Sequence, residues 1–194
     1  RPNSLRDAYA FRQHVEAGRK SRNLPMIDEY DEFPVYYYSN HNAIFGPGEI
    51  NVYKNHMEEL DFELEVAIVI GKEGRNISIK DADDYIFGYT IMNDFSARKL
   101  QKQEMKLSLG PAKGKDFATS LGPYIVTKEE LDSFKISSKD GIRYNLDMKA
   151  YVNKDLVSID NFSNITWTFA QIISRISYGT TLFPGDVIGS GTCA

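Results

Sequence analysis

DFELEVAIVIG, residues 61–71, alternates acidic with apolar side chains and then becomes apolar at every position. A strand that passes from the rim of a sheet into its interior has this pattern. Alternate side chains of a strand share a face, so Asp61, Glu63 and Glu65 would form a row, each about 7 Å from the next. We therefore predict a strand over residues 61–71 that carries three carboxylates on one face.

This acidic row has two interpretations. Like charges that point toward an apolar region are costly unless a positive charge lies among them, and carboxylate oxygens select a hard divalent ion such as Mg²⁺, Mn²⁺ or Ca²⁺. Alternatively, the row is the solvated edge of a sheet, where charges discourage edge-to-edge pairing. The strand alone leaves both interpretations open.

Two further acidic residues lie beside predicted element boundaries. Asp94 follows an apolar strand predicted over residues 87–92, at a corner where polar groups of a site often gather, although an ordinary helix cap explains it equally well. Asp7 falls at the third helical position of a capping box that starts at Ser4, so we predict a helix over residues 7–22.

Strands dominate the rest of the chain and the helices are short. Further strands are predicted over residues 35–39, 122–126, 144–152 and 186–189, and further helices after Ser78, from Ser96 to residue 103, and over residues 166–178. This mixture predicts an α+β fold.

Length and composition exclude several classes of protein. The 194 residues are 42% hydrophobic and 26% charged, which predicts one globular domain rather than a disordered chain. A formal net charge of −4 argues against a nucleic-acid partner. The longest apolar run, residues 66–71, is too short to span a membrane, and the single cysteine suits a reducing compartment. We expect a soluble cytoplasmic domain with no membrane or nucleic-acid partner.

Four sequence blocks follow one another along the chain: DFELEVA (residues 61–67), IFGYTIMNDFSAR (86–98), LGP…GKDFAT (109–119) and FPGD…GSGT (183–192). In this order, they resemble the fumarylacetoacetate hydrolase family. The resemblance implies an α+β fold, the mixed multi-layer β-roll of this family with short helices. It also implies a homodimer and a carboxylate-bound Mg²⁺, Mn²⁺ or Ca²⁺.

The resemblance also carries individual roles onto this sequence. It implies that His14 is a general base, that Lys115 and Gln101 are catalytic contacts, and that Asp61 is not used. It places Tyr9, Tyr37 and Thr192 at substrate contacts, and it makes Asp7, Glu63, Glu65, Asp94 and Thr119 the candidate metal ligands.

The sequence departs from the family pattern in several places. Lys99 follows Arg98 where an aspartate is usual, Met105 stands in place of a tyrosine, and Asn23 in place of an arginine. The residue that would orient His14 is unidentified, because Glu16 is only two positions along the helix. We expect residues 1–194 to form a single catalytic domain that lacks parts of the family's N-terminal and C-terminal regions.

The expected activity is the metal-dependent hydrolysis of a C–C bond in a β-dicarbonyl acid of the fumarylacetoacetate or acylpyruvate type. Two alternatives stay open. The same site could serve an oxo-acid decarboxylase or a hydratase or isomerase, or the chain could be a non-catalytic scaffold that binds a divalent ion.

Overall fold

The structure is a computed structural model that describes residues 1–193, in which sixteen strands and six α-helices are present. The strands are β1 (Leu5–Ala8), β2 (Tyr36–Ser39), β3 (Ile44–Phe45), β4 (Leu60–Asp61), β5 (Leu64–Ile70), β6 (Gly74–Arg75), β7 (Ile86–Asp94), β8 (Ser96–Ala97), β9 (Thr119–Leu121), β10 (Val126–Thr127), β11 (Lys135–Ser138), β12 (Gly141–Tyr144), β13 (Asp147–Val152), β14 (Asp155–Asn161), β15 (Thr181–Leu182) and β16 (Val187–Gly189). The helices are α1 (Arg12–Lys20), α2 (Glu29–Glu32), α3 (Lys54–Met57), α4 (Ile79–Ala82), α5 (Arg98–Glu104) and α6 (Phe169–Ser177).

One mixed sheet forms the centre of the fold. Its strand order is β2-β1-β16-β5-β7-β9-β3, with β10 added beside β7. The pairs β1–β16 and β3–β9 are parallel, whereas β5 lies antiparallel to both β16 and β7. The described residues also form four separate two-stranded sheets. The predicted α+β class is therefore confirmed.

Helix α6 packs against this sheet through its apolar face. The helix begins with a capping box in which Thr168 and Gln171 each bond the other's backbone N–H. Its buried face, which includes Ile172 and Ile176, joins the same apolar core as Ile68 of β5. Each such side chain stabilises the fold by about 1.5–3 kcal/mol through burial. No helix within residues 1–193 has the length and apolar character needed to cross a bilayer.

The predicted start of the N-terminal helix was wrong. Residues 5–8 form strand β1, and helix α1 begins only at Arg12. The Ser4 hydroxyl does not cap a helix but donates to Asp186 Oδ1 at 2.6 Å. All four residues of β1 are buried between β2 and β16, so tertiary pairing overrides the local helix signal. Asp7 therefore lies on a strand.

The strand predicted over residues 61–71 is interrupted. Strand β4 ends at Asp61 and β5 begins at Leu64, and Asp61 pairs with Ser96 of β8. Asp61 thereby leaves the row of carboxylates, and Ser96 lies in β8 instead of capping α5. Similarly, the strand predicted over residues 122–126 is absent between β9 and β10, and the strand predicted over 144–152 breaks between β12 and β13.

Candidate metal centre

Four buried carboxylates converge at one end of the central sheet. Asp7 comes from β1, Glu65 from β5 and Asp94 from the end of β7, while Glu63 directly precedes β5. One oxygen from each lies within 4.8 Å of the others, and all four residues are buried. Residues that are separated in sequence meet because β16 lies between β1 and β5, and β7 lies on the other side of β5.

Two glycines let the carboxylates approach each other across β16. A Cβ on Gly189 would lie 2.7 Å from Asp7 Oδ1 and 2.8 Å from Glu65 Oε2, so any side chain there would enter the cluster. The Gly191 N–H donates to both oxygens at 3.0 Å. Gly191 has a φ of +76°, and a Cβ would lie 2.5 Å from the Ala8 carbonyl oxygen, so this position requires glycine.

Two cations reach the cluster from the side of Glu63. Lys115 Nζ lies 2.7 Å from Glu63 Oε2 and 3.0 Å from Asp94 Oδ2, and Arg98 Nη2 lies 2.9 Å from Glu63 Oε1. Burial alone would raise the pKa of Glu63, but the charges of Lys115 and Arg98 outweigh burial and lower it. Glu63 is therefore an ionised carboxylate even without a metal.

The opposite side of the cluster lacks this compensation. Burial, and after it the charge of Asp94, raises the pKa of Asp7 from 3.8 to about 7. Burial and the charge of Asp7 raise the pKa of Glu65 well above its usual range. Tyr37 closes this side, with its hydroxyl 3.0 Å from Asp7 Oδ2 and in hydrogen-bond contact with Asp94. Among the described residues, Asp7 and Glu65 are therefore the carboxylates of the cluster whose negative charge is not offset by an ion pair.

The donor set fits a hard divalent cation. All four groups offer oxygen, which Mg²⁺, Mn²⁺ and Ca²⁺ prefer. Glu65 Oε1 is buried without a hydrogen-bond partner in the described part of the chain, as expected of an oxygen that a ligand would engage. With all groups ionised, the four carboxylates together with Lys115 and Arg98 carry a net charge of −2, which one divalent ion would balance. A cluster of this kind could bind a metal.

Thr119, the fifth predicted ligand, lies at the edge of the cluster. It is the first residue of β9 and pairs with Asp94 in the sheet, and its Oγ1 donates to Asp94 Oδ1 at 3.4 Å. Thr119 therefore contacts one of the four carboxylates rather than standing among them.

His14 and Tyr9 form a second group beside the cluster. Their rings meet edge to face with centroids 5.8 Å apart, and the charge of Glu63 acts on both. Burial lowers the pKa of His14 below its ordinary value near 6.5, so the imidazole is neutral at pH 7. Thr192 is buried and directly follows Gly191 in the chain.

Gln101 is connected to the cluster through Arg98. Arg98 Nη1 donates to Gln101 Oε1 at 3.0 Å, while its Nη2 contacts Glu63. Gly114 permits the loop before Lys115 to pack on α5, because a Cβ there would lie 2.7 Å from the Gln101 backbone nitrogen. Sequence reasoning missed the part played by Arg98 and by the two glycines of the GSGT block. An arginine one turn before Gln101 on the same helix was the available signal.

The comparison with known families agrees with this geometry. The family described as "Fumarylacetoacetate (FAA) hydrolase C-terminal" matches residues 4–194. The chain belongs to the fumarylacetoacetate hydrolase family. The resemblance identified from the four sequence blocks is thereby confirmed. Members of this family are enzymes, and they include hydrolases, isomerases and tautomerases.

Among its relatives, the chain is 33% identical over 176 residues to a fumarylacetoacetase of Arabidopsis thaliana, covering 79% of this chain and 39% of that protein. It is 35% identical over 186 residues to the oxaloacetate tautomerase YisK of Bacillus subtilis, covering 94% of this chain and 55% of that protein. The chain thus spans about two fifths to somewhat more than half of these relatives.

The same fold occurs in a fumarylpyruvate hydrolase from Pseudomonas aeruginosa, solved in complex with Mn²⁺ and pyruvate. The TM-score is 0.77 at 18% identity, and the match covers 98% of this chain and 78% of that one.

Proposed function

We propose that this protein is a Mg²⁺- or Mn²⁺-dependent hydrolase that cleaves a C–C bond in a β-dicarbonyl acid of the fumarylacetoacetate or acylpyruvate type. The main support is the convergence of four buried carboxylates from three separate parts of the chain. The family includes hydrolases, and the solved hydrolase of the same fold holds Mn²⁺ with an oxo-acid, which makes this pair the first to test.

Asp7, Glu63, Glu65 and Asp94 would hold the metal ion, with Thr119 Oγ1 beside Asp94. When bound, a divalent ion would act as a Lewis acid toward the oxygens of a chelating oxo-acid, which is worth several kcal/mol as negative charge develops on them. The four residues supply one carboxylate each, and six-coordinate ions of this class usually retain positions for water and substrate.

His14 would remove the proton from the attacking water. A general base must be deprotonated at the working pH, and burial favours the neutral imidazole. The adjacent Tyr9 ring limits the positions that the imidazole can take. No described residue donates to or accepts from the His14 ring, so its orientation depends on packing alone.

Lys115 and Gln101 would hydrogen-bond the oxyanion of the hydrated substrate or the departing enolate. Lys115 is suited to this role because burial, which would lower the pKa of its amine, is outweighed by Asp94 and Glu63, so the ammonium stays charged. Tyr9, Tyr37 and Thr192 would contact the substrate. The Tyr37 hydroxyl already lies beside the carboxylates. Of the three residues, Tyr37 would therefore contact the part of the substrate that is closest to the metal.

An isomerase or tautomerase is the second candidate. The oxaloacetate tautomerase relative matches 94% of this chain, more than the fumarylacetoacetase relatives do. Keto–enol exchange requires a single group that moves a proton beside a chelated oxo-acid, and His14 would be sufficient for it without an orienting partner.

Product analysis distinguishes these activities. The purified protein is incubated with an acylpyruvate, and separately with oxaloacetate, in the presence of Mg²⁺, Mn²⁺ or EDTA. Hydrolysis gives two acids by NMR, tautomerisation changes the enol absorbance without a new product, and decarboxylation releases CO₂. If neither compound reacts with either metal, the enzymatic proposal fails and a metal-binding scaffold is favoured.

The homodimer that the family resemblance implies stays a prediction. Light scattering on the purified protein at several concentrations should give twice the 22.0 kDa mass of the chain.

A further inference from the structure

Arg98 contacts three partners that belong to different parts of the site. Its Nε donates to Asp61 Oδ2 at 2.7 Å, its Nη2 lies 2.9 Å from Glu63 Oε1, and its Nη1 donates to Gln101 Oε1 at 3.0 Å. The guanidinium is planar and rigid, so fixing one edge of it fixes the others. Asp61 thus determines where Arg98 presents its remaining donors.

We propose that Asp61 is a positioning residue that acts through Arg98 to orient the side-chain amide of Gln101. Asp61 does not belong to the carboxylate cluster, and its side chain is 45% exposed, so it is no metal ligand. Its second oxygen accepts the Phe62 N–H at 2.9 Å, which holds the carboxylate against the backbone. Asp61 is therefore itself anchored and suited to anchor Arg98.

The contact with Arg98 determines which way the Gln101 amide faces. Arginine has only donors, so the atom that meets Nη1 must be the amide oxygen, and the two N–H donors must point elsewhere. An amide that could rotate freely would present its oxygen as often as its nitrogen. An oxo-acid carries mostly hydrogen-bond acceptors. A Gln101 amide whose N–H groups face the ligand therefore favours its binding, whereas a flipped amide, which presents its oxygen, disfavours it.

Glu63 should be much less sensitive to the loss of Asp61. Its carboxylate is held by Lys115 at 2.7 Å as well as by Arg98, and an Arg98 without Asp61 would still be attracted to Glu63. Loss of Asp61 should therefore change the orientation of the Gln101 amide but not the affinity for the metal. This inference rests on the proposed function only in taking Gln101 as a substrate contact.

The decisive test observes the amide directly. In ¹⁵N-labelled metal-free protein, the Gln101 side-chain NH₂ signals are identified by their disappearance in Gln101→Leu. These signals should shift or double in Asp61→Ala, and they should return to the wild-type position in Asp61→Asn, which keeps an oxygen acceptor for Arg98. Arg98→Lys keeps the charge but cannot bridge three partners, so its Gln101 signals should also shift or double. This second variant tests the inference if Asp61→Ala does not fold.

Calorimetry adds the functional readout. In Mn²⁺-loaded protein, Asp61→Ala should weaken oxalate binding about tenfold, the value of one lost hydrogen bond, while Mn²⁺ affinity stays at the wild-type value. Glu58→Gln is the matched control, because Glu58 pairs with Lys99, the residue next to Arg98, outside the cluster. It should change neither readout.

Unchanged Gln101 signals in Asp61→Ala, or in Arg98→Lys where Asp61→Ala does not fold, would overturn the inference, as would an equal change in Glu58→Gln. If Mn²⁺-loaded wild-type protein does not bind oxalate, the proposed function fails, and the amide signals still decide the role of Asp61.

Discussion

Replacing Glu65 by glutamine should stabilise the metal-free protein and, at the same time, remove most of the stabilisation that a divalent ion provides. Glu65 and Asp7 place ionisable oxygens within 4.8 Å of each other in a buried site. At an effective dielectric constant near 20, two unit charges at this distance repel by about 3 kcal/mol. Protonation relieves part of this repulsion, so we expect Glu65→Gln to raise the free energy of unfolding in EDTA by about 1–3 kcal/mol.

The gain should depend on pH. Burial and the Asp94 charge give Asp7 a folded-state pKa of about 7, against 3.8 as the ordinary value, so folded protein binds the proton more tightly than unfolded protein. Metal-free wild-type protein therefore loses stability as the pH rises from about 4 to about 7, by about 4 kcal/mol from Asp7 alone. Burial and the charge of Asp7 also raise the pKa of Glu65 well above its ordinary value, so Glu65 adds its own share to this loss of stability. Glu65→Gln removes that share, so its gain should be small at pH 5 and larger at pH 8.

Urea unfolding with and without metal measures both effects. With Mn²⁺ at one hundred times its dissociation constant, wild-type protein should gain about 2.7 kcal/mol, and Glu65→Gln should gain less than about 1 kcal/mol at the same concentration. Asp61→Asn is the control, since Asp61 lies outside the cluster and should keep the full gain. A Glu65→Gln protein that is less stable in EDTA at pH 8, or that keeps the full Mn²⁺ gain, would refute the charge argument.

Three further substitutions test other parts of the site. Gly189→Ala would place a methyl group 2.7–2.8 Å from carboxylate oxygens of the cluster. Calorimetry should therefore show an Mn²⁺ affinity at least about tenfold lower, while the circular dichroism spectrum stays native. An unchanged Mn²⁺ affinity would contradict the close packing at Gly189. His14→Ala should lower kcat about 10²–10⁴-fold with Mn²⁺ affinity unchanged, and an undiminished rate would exclude His14 as the base. Lys115→Met removes the ion-pair partner of Glu63 and Asp94. It should lower the free energy of unfolding in EDTA by about 3–5 kcal/mol, and Mn²⁺ should restore part of this loss. An equal loss with and without Mn²⁺ would indicate a purely structural lysine.

The sequence pattern predicted those elements whose buried residues recur with the period of a helix or of a strand. Helix α6 and strand β7 lie within a few residues of their predicted bounds, because one apolar face of each enters the core. β14 was missed because its residues are exposed or half-buried on both faces and show no alternation. The N-terminal strand was mistaken for a helix because the interactions that make it a strand come from residues 36–39 and 187–189.

The sequence indicated which carboxylates to consider for the site, but not the contacts that other residues make with them. The resemblance to the family indicated which carboxylates to consider, and the structure brings Asp7, Glu63, Glu65 and Asp94 together. The neighbours that set their charge state could not be read from spacing. Arg98 joins Asp61 to Gln101 across separate elements, and such ion pairs depend on tertiary placement.

Strand β16 determines whether the cluster exists at all. It is three residues long, it lies between β1 and β5, and the segment after it supplies the Gly191 N–H to Asp7 and Glu65. An ion held by these carboxylates would therefore connect residue 7 to residue 65 across this strand. Metal binding and the pairing of β1 with β16 must then be coupled, since an ion that binds only when the two strands are paired stabilises that pairing. Amide exchange of the β1 and β16 residues should consequently slow on addition of Mn²⁺ more than that of the β13–β14 hairpin, which forms a separate two-stranded sheet.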